Sequence, residues 1–75
     1  MDMKQKIINM INSSDEKVIT VNRAYGRLFG VHKSRVKEAL KSLISEKKVV
    51  ELKATGEAAL RLQVPSGTEV YILNK

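Results

Sequence analysis

Residues 19–50 constrain the fold most strongly, because they read as two short helices separated by a tight turn. Gly26 and Gly30 lie four residues apart and are followed by Val31 and Val36. This spacing predicts that Gly26 lets the two helices cross closely and that Gly30 adopts a positive φ in the turn. The rest of the chain is then expected to support this helix pair.

The net positive charge of the chain lies on the same stretch. The chain has 14 Lys and Arg against 8 Asp and Glu, a net charge of +6. Residues 22–48, which we call the basic helix pair, hold eight of the bases and two of the acids, so the remaining residues sum to zero. A positive field focused in this way attracts polyanions. A solvated, lysine-rich helix surface is the alternative interpretation.

The composition argues against several kinds of chemistry. The chain has no Cys, which excludes disulfides, thiolate metal sites and thiol catalysis. A single His without a cluster of carboxylates makes a metal site improbable. No nucleophile–base pair or phosphate-binding loop can be assembled from these residues. We therefore expect no enzyme activity, no cofactor and no small-molecule substrate.

Length and hydropathy bound the architecture. The 75 residues are expected to form one small domain, residues 1–75, whose limited core would gain from a partner subunit. No apolar run approaches the ~20 residues of a membrane span, and residues 1–6 lack a signal-peptide core. We expect a soluble, cytoplasmic protein, associated with the nucleoid if the source is bacterial or archaeal.

Apolar periodicity predicts two helices and a short strand before the turn. Residues 2–12 form the first helix, with Asp2 as its N-cap. Residues 18–20 are long enough for a short strand only. The second helix spans residues 21–29 with Thr20 as its N-cap. Four side chains are expected on its buried face: Ala24, Tyr25, Leu28 and Phe29. A glycine inside a helix costs about 1 kcal/mol, so close packing is expected at Gly26.

The third helix, residues 33–46, is amphipathic. Its apolar stripe consists of Val36, Ala39, Leu40, Leu43 and Ile44. The opposite face is centred on Ser34, Glu38, Lys41 and Ser45. Arg35 and Lys37 flank that face, so the front half of the helix presents donor-rich side chains to solvent.

The period changes after the third helix. Residues 49–53 and 69–73 are predicted strands, and residues 65–68 are a turn. Residues 54–64 are ambiguous, since alternation of Leu60, Leu62 and Val64 favours a strand whereas residues 57–60 have high helix propensity. We favour a strand, which would give a three-stranded meander or a hairpin with a long tip.

Residues 26–43 read GRLFGVHKSRVKEALKSL and resemble a winged helix-turn-helix domain. The resemblance rests on the small residue at Gly26, on Gly30-Val31, and on apolar residues at the family's positions in the third helix. It implies an α+β fold in which three helices precede a small antiparallel sheet, the wing. It also implies binding to double-stranded DNA, with helix 33–46 in the major groove and helix 21–29 on the phosphate backbone. The chain departs from the family pattern at His32, where Ser or Thr is frequent, and at Lys48, where Gly is common.

The predicted DNA-binding residues fall into three groups. Ser34, Arg35, Lys37 and Lys41 are expected to contact base edges or phosphate, and Glu38 to contact a base edge unless it pairs with a neighbouring lysine. Phosphate contacts are expected at Thr20, Asn22 and Arg23, at Arg27 unless it is only solvated, and at His32 unless it only caps the third helix. Lys33 is also expected to contact the DNA. The bases of the predicted wing are Lys53 and Arg61.

Three functions are compatible with these residues. The first is a small transcriptional regulator, or an accessory DNA-binding factor of a mobile element or phage, acting as a homodimer on two half-sites. The second is RNA or ribonucleoprotein binding. The third is a protein–protein interaction module that uses the apolar residues 58–64.

Overall fold

The computed structural model of the chain describes residues 2–74, which form four helices and a three-stranded antiparallel sheet. Their order is α1 (Met3–Ser13), β1 (Val18–Ile19), α2 (Val21–Arg27), α3 (Lys33–Ser45), β2 (Val49–Ala54), α4 (Gly56–Leu62) and β3 (Thr68–Leu73). The predicted α+β class is confirmed. The predicted number of helices is wrong, because a fourth helix lies between β2 and β3.

The helix caps follow the sequence closely. The backbone N–H of Gln5 donates to Asp2 at 2.8 Å, and that of Arg23 donates to the Thr20 hydroxyl at 3.1 Å. Gly30 has a φ of 72°, as predicted for the turn between α2 and α3. His32 occupies the N-cap position of α3, but its side chain makes no capping hydrogen bond.

The sheet has the strand order β1-β3-β2, so β3 is central. β1 pairs with β3 through Ile19 opposite Tyr71, and β2 pairs with β3 from Val49 opposite Leu73 to Ala54 opposite Thr68. Because side chains alternate along a strand, Ile19, Val49 and Tyr71 share one face and Val18, Ala54 and Val70 share the other.

Each face of the sheet packs on a different set of helices. The main core combines Ile19, Val49 and Tyr71 with α1, α2 and α3, and its helical members are Ile7, Ile11, Ala24, Leu28, Val36, Leu40 and Leu43. On the other face, Ala59 of α4 packs with Ala54 and Val70, with Leu62 and Val64 at its margin. Residues 55–67 therefore fold back over the sheet, and the strand predicted within residues 54–64 is wrong.

Helix α2 is shorter than predicted and buries fewer side chains. It ends at Arg27 and not at residue 29, and Ala24 is its buried residue, with Leu28 buried at its C-cap. The predicted burial of two aromatic side chains is wrong, since Phe29 is 93% exposed and Tyr25 is 44% exposed. The predicted close packing at Gly26 is also wrong, because a Cβ atom there would meet no atom within 4 Å.

Candidate nucleic-acid interface

The front half of α3 presents polar side chains to solvent, as its periodicity predicts. Ser34, Arg35, Lys37, Glu38 and Lys41 are all exposed, whereas Val36, Leu40 and Leu43 are buried. The helix is held by this apolar stripe, which fixes its rotation against the core. The exposed side chains therefore have a defined direction on the surface of the domain.

One side of α3 shares a surface depression with α2. Lys33 and Lys37 line it together with Thr20, Val21 and Asn22, at the N-terminal end of α2. The backbone N–H groups at this end of α2 face an anion favourably, although the Thr20 hydroxyl already accepts from the Arg23 N–H. Thus two predicted phosphate contacts, Thr20 and Asn22, meet two lysines of the predicted recognition helix.

The turn before β3 completes the same depression. Gly67, Thr68 and Glu69 line its third side. Thr68 was not among the predicted contacts, although the Pro-Ser-Gly-Thr sequence indicates an exposed turn. Glu69 brings a negative charge towards Lys33 and Lys37, which reduces the positive potential on this side of α3.

Arg35 lies on the opposite side of α3 from Lys37. It lines a second depression with Glu38, Ala39 and Ser42, against Asp2, Met3 and Lys4 at the start of α1. Positions 35 and 37 are 200° apart around a helix, so their side chains diverge. The two basic residues expected to flank the exposed face do so, and they point to separate parts of the surface.

Arg61 does not lie on a wing tip. It sits in the last turn of α4 and lines a depression with Arg23, Asp15 and Glu16. The structure therefore places Arg61 beside the first turn of α2. Lys53 stands on β2 directly opposite Glu69 of β3 and is exposed. The two bases expected on one wing are thus in separate places.

Among residues 2–74, almost all cations of the basic helix pair lack an ionic partner. Among residues 2–74 the ion pairs are Lys4–Glu46 at 2.5 Å and Lys48–Glu46 at 3.4 Å. Within that described part of the chain, Lys48 is thus the one base of residues 22–48 in an ion pair, and Glu38 pairs with neither Lys37 nor Lys41. The exposed bases without such a pair are Arg23, Arg27, Lys33, Arg35, Lys37, Lys41 and Lys47.

Exposed aromatic rings adjoin this basic surface. Tyr25 and Phe29 line a groove with Leu28, Val31 and His32 at the turn between α2 and α3. We call these five residues the aromatic groove. Both rings were predicted to lie in the core, because their spacing matches a helical apolar face. The early end of α2 removes Phe29 from that face.

No group of three or more His, Asp and Glu side chains within residues 2–74 is arranged to hold a metal ion. None of the helices in the described range combines the length and the apolar character that crossing a bilayer requires.

Comparison of the chain with models of known protein families, with curated proteins and with solved structures finds no significant match.

Proposed function

We propose that this chain is a winged helix-turn-helix protein that binds double-stranded DNA as a homodimer in the cytoplasm. In this proposal α3 enters the major groove, and the N-terminal turn of α2 contacts the phosphate backbone. The order of the first elements, three helices with a short strand after the first, followed by the antiparallel pair β2 and β3 with α4 between them, supports this assignment. The biological role would be that of a small transcriptional regulator or an accessory factor of a mobile element.

The observation that carries the proposal is the set of exposed cations of the basic helix pair that have no ionic partner within residues 2–74. Counterion release on binding phosphates favours such a surface. Lys33 and Lys37 beside Thr20 and Asn22 form the part of this surface best placed to contact a phosphate and a base edge together.

In this proposal the exposed residues of α3 have two different roles, contact with phosphate and contact with base edges. Lys33 faces the end of α2 and is assigned to phosphate, while Lys37, Lys41 and Ser34 project from the exposed face of α3 and are assigned to base edges. Arg35, on the α1 side, is assigned to the far wall of the groove. Arg23 and Arg61 together would contact the backbone beyond the first turn of α2.

A salt titration tests the proposal directly. Binding of the full chain to a short mixed-sequence duplex, measured by fluorescence anisotropy, should weaken with salt at a slope of about −0.9 per phosphate neutralised. The double variant Lys33→Ala/Lys37→Ala should make that slope less negative by about one phosphate contact, that of Lys33. Lys6→Ala, an exposed base on α1 outside the basic helix pair, is the matched control and should leave the slope unchanged. Absence of duplex binding at low salt would refute the proposal.

Sequence preference is tested by selecting bound sequences from a random duplex pool. Lys37→Ala should lose the preference, and Arg23→Ala should weaken binding to all sequences alike. A palindromic selected site would support two-fold symmetry of the bound protein. Tighter binding to structured RNA than to duplex DNA in a competition assay would instead favour the ribonucleoprotein alternative.

A second candidate function, contact with another protein, is favoured by the aromatic groove. Phe29 is 93% exposed, which is unusual for a large aromatic side chain on a small domain. Leu60 of α4 is also exposed at 78%, within the residues 58–64 first considered for this role, although Ala59 and Leu62 of that segment pack on the sheet. Phe29→Ser should abolish partner binding under this alternative and should leave the salt slope of duplex binding intact.

A further inference from the structure

The two edges of the sheet differ in how their backbone groups are satisfied. At the β1 edge, the Ser14 hydroxyl accepts from the Val18 N–H at 3.0 Å and lies 3.0 Å from the Val18 carbonyl oxygen. One side chain thus occupies the outward N–H of this two-residue strand, and its single hydroxyl proton is shared between the carbonyl oxygens of Val18 and Ile11, each at 3.0 Å. An incoming strand finds no free pair of groups at Val18.

The β2 edge is open. The Asn74 N–H donates to the Lys48 carbonyl at 2.9 Å, and the Gly67 N–H donates to the Ala54 carbonyl at 2.8 Å. Even-numbered residues of β2 therefore point their backbone groups towards β3. By the alternation of an antiparallel ladder, the N–H and C=O groups of Glu51 and Lys53 point outward. No hydrogen bond from another part of residues 2–74 reaches them.

The side chains along this edge favour one antiparallel register between two copies. Charged residues on an edge strand usually prevent pairing, because like charges meet. Here a two-fold axis through Leu52 places Glu51 of each copy opposite Lys53 of the other, which gives two attractive pairs. Shifting the axis to Glu51 or to Lys53 places identical charges opposite each other. The backbone is compatible with this register, since Glu51 and Lys53 are also the residues whose N–H and C=O groups point outward.

In the same register, Leu52 would provide an apolar contact between the two copies. It is 47% exposed although it lies within the longest strand pairing of the domain. On the two-fold axis its side chain meets Leu52 of the second copy, on the sheet face opposite to the charged pairs, and Val50 faces Ala54 across the junction. Pairing therefore removes an exposed leucine from water while it satisfies an open edge.

From this edge we infer a homodimer in which β2 pairs antiparallel with β2 of a second copy, with Leu52 on the two-fold axis. The result is a continuous six-stranded sheet with Glu51–Lys53 pairs on one face. This inference names the interface of the proposed homodimer, and it does not rest on nucleic-acid binding. Its tests are made without DNA, so its failure and the failure of DNA binding are separate results.

A charge exchange tests the register. Sedimentation equilibrium of the full chain should show a dimer whose Kd rises roughly tenfold or more in Glu51→Lys and in Lys53→Glu, because each variant replaces two attractive pairs by two repulsive pairs. The double variant Glu51→Lys/Lys53→Glu should recover the original Kd. Circular dichroism of each variant verifies that the fold is retained.

Cysteine cross-linking tests the axis itself. The chain contains no Cys, so a single introduced thiol reports one position. In an antiparallel sheet a facing, non-hydrogen-bonded pair has its Cα atoms about 4.5 Å apart, within the range of a disulfide. Leu52→Cys should form an interchain disulfide under mild oxidation. Lys53→Cys is the matched control, since it is one residue away and faces Glu51 of the other copy.

The outcomes decide the inference. A chain that stays monomeric at about millimolar concentration overturns it, because mass action would fill even a weak interface at that concentration. A dimer that neither single charge variant weakens, no recovery in the double variant, or cross-linking of Lys53→Cys as fast as Leu52→Cys also overturns it.

Discussion

The Nζ atom of Lys4 lies 2.5 Å from a carboxylate oxygen of Glu46. This ion pair joins the first turn of α1 to the C-cap residue of α3. The same carboxylate accepts from the Ser42 hydroxyl at 3.2 Å and lies 3.4 Å from Lys48. The hydrogen bond from Lys4, followed by that from Ser42, lowers the pKa of Glu46 from its ordinary value of 4.5.

Glu46→Gln should therefore lower the thermal midpoint slightly at neutral pH. A carboxylate whose pKa is lowered by folding stabilises the fold above its ordinary pKa, and the contribution is lost as the pH falls through the lowered value. The difference from the parent chain should thus shrink below about pH 4. Thermal unfolding of both proteins by circular dichroism, from about pH 7 to about pH 2, measures this difference. A difference that grows on acidification would contradict this interpretation.

The two glycines at the α2–α3 junction should respond to alanine in opposite directions. Gly26 lies inside α2 with open space at its Cβ position, so Gly26→Ala should raise the free energy of unfolding by about 0.5–1 kcal/mol. Gly30 has a φ of 72°, so Gly30→Ala should lower it by about 1–2 kcal/mol. Urea denaturation of both variants provides the comparison. Destabilisation by Gly26→Ala would reveal a close contact in that helix.

Two threonines precede helices, and only one of them caps with its side chain. Thr20 accepts from the Arg23 N–H, whereas Thr55 precedes α4 without a capping hydrogen bond. Thr20→Ala should cost about 1 kcal/mol of unfolding free energy, and Thr55→Ala should cost less than about 0.5 kcal/mol. Equal costs in urea denaturation would show that the Thr20 hydroxyl contributes nothing as a cap.

Tyr71 should make the fold sensitive to alkaline pH. Burial, with the nearby carboxylates of Glu51 and Glu69, raises its pKa from 10.0 to about 12. A phenol whose pKa is raised by folding stabilises the fold below pH 10.0, and the contribution disappears as the pH rises towards about 12. Stability should fall across this range in the parent chain and fall less in Tyr71→Phe. Tyr25→Phe leaves Tyr71 as the one tyrosine, so ultraviolet absorbance then follows its ionisation alone.

Within the first 50 residues, local sequence signals were sufficient for the helix caps, the turn and the buried stripe of α3. The caps at Asp2 and Thr20, the positive φ at Gly30 and the buried stripe of α3 all depend on neighbours in the chain, and all are present. Helix α4 could not be predicted with the same ease. It has seven residues and one buried side chain, Ala59, and its position depends on the sheet face formed by Ala54 and Val70. That face does not exist until β2 and β3 have paired.

The candidate site was predicted as a set of residues and not as an arrangement. Exposure of the polar residues of α3 followed from their spacing, so this part is confirmed. The separation of Arg35 from Lys37, and of Lys53 from Arg61, depends on which elements pack against α3 and β2. The exposure of Phe29 depends on α2 ending two residues early.

Ser14 has a consequence for the size of any assembly. Open edges on both sides of a sheet would let copies add without limit and form fibres, as in cross-β polymers. In the inferred dimer the two β2 edges pair with each other, and the Ser14 hydroxyl at Val18 blocks the β1 edge of each copy, so the assembly would stop at two copies. Removing one oxygen atom, in Ser14→Ala, would open the other end and turn a closed pair into a chain that can polymerise.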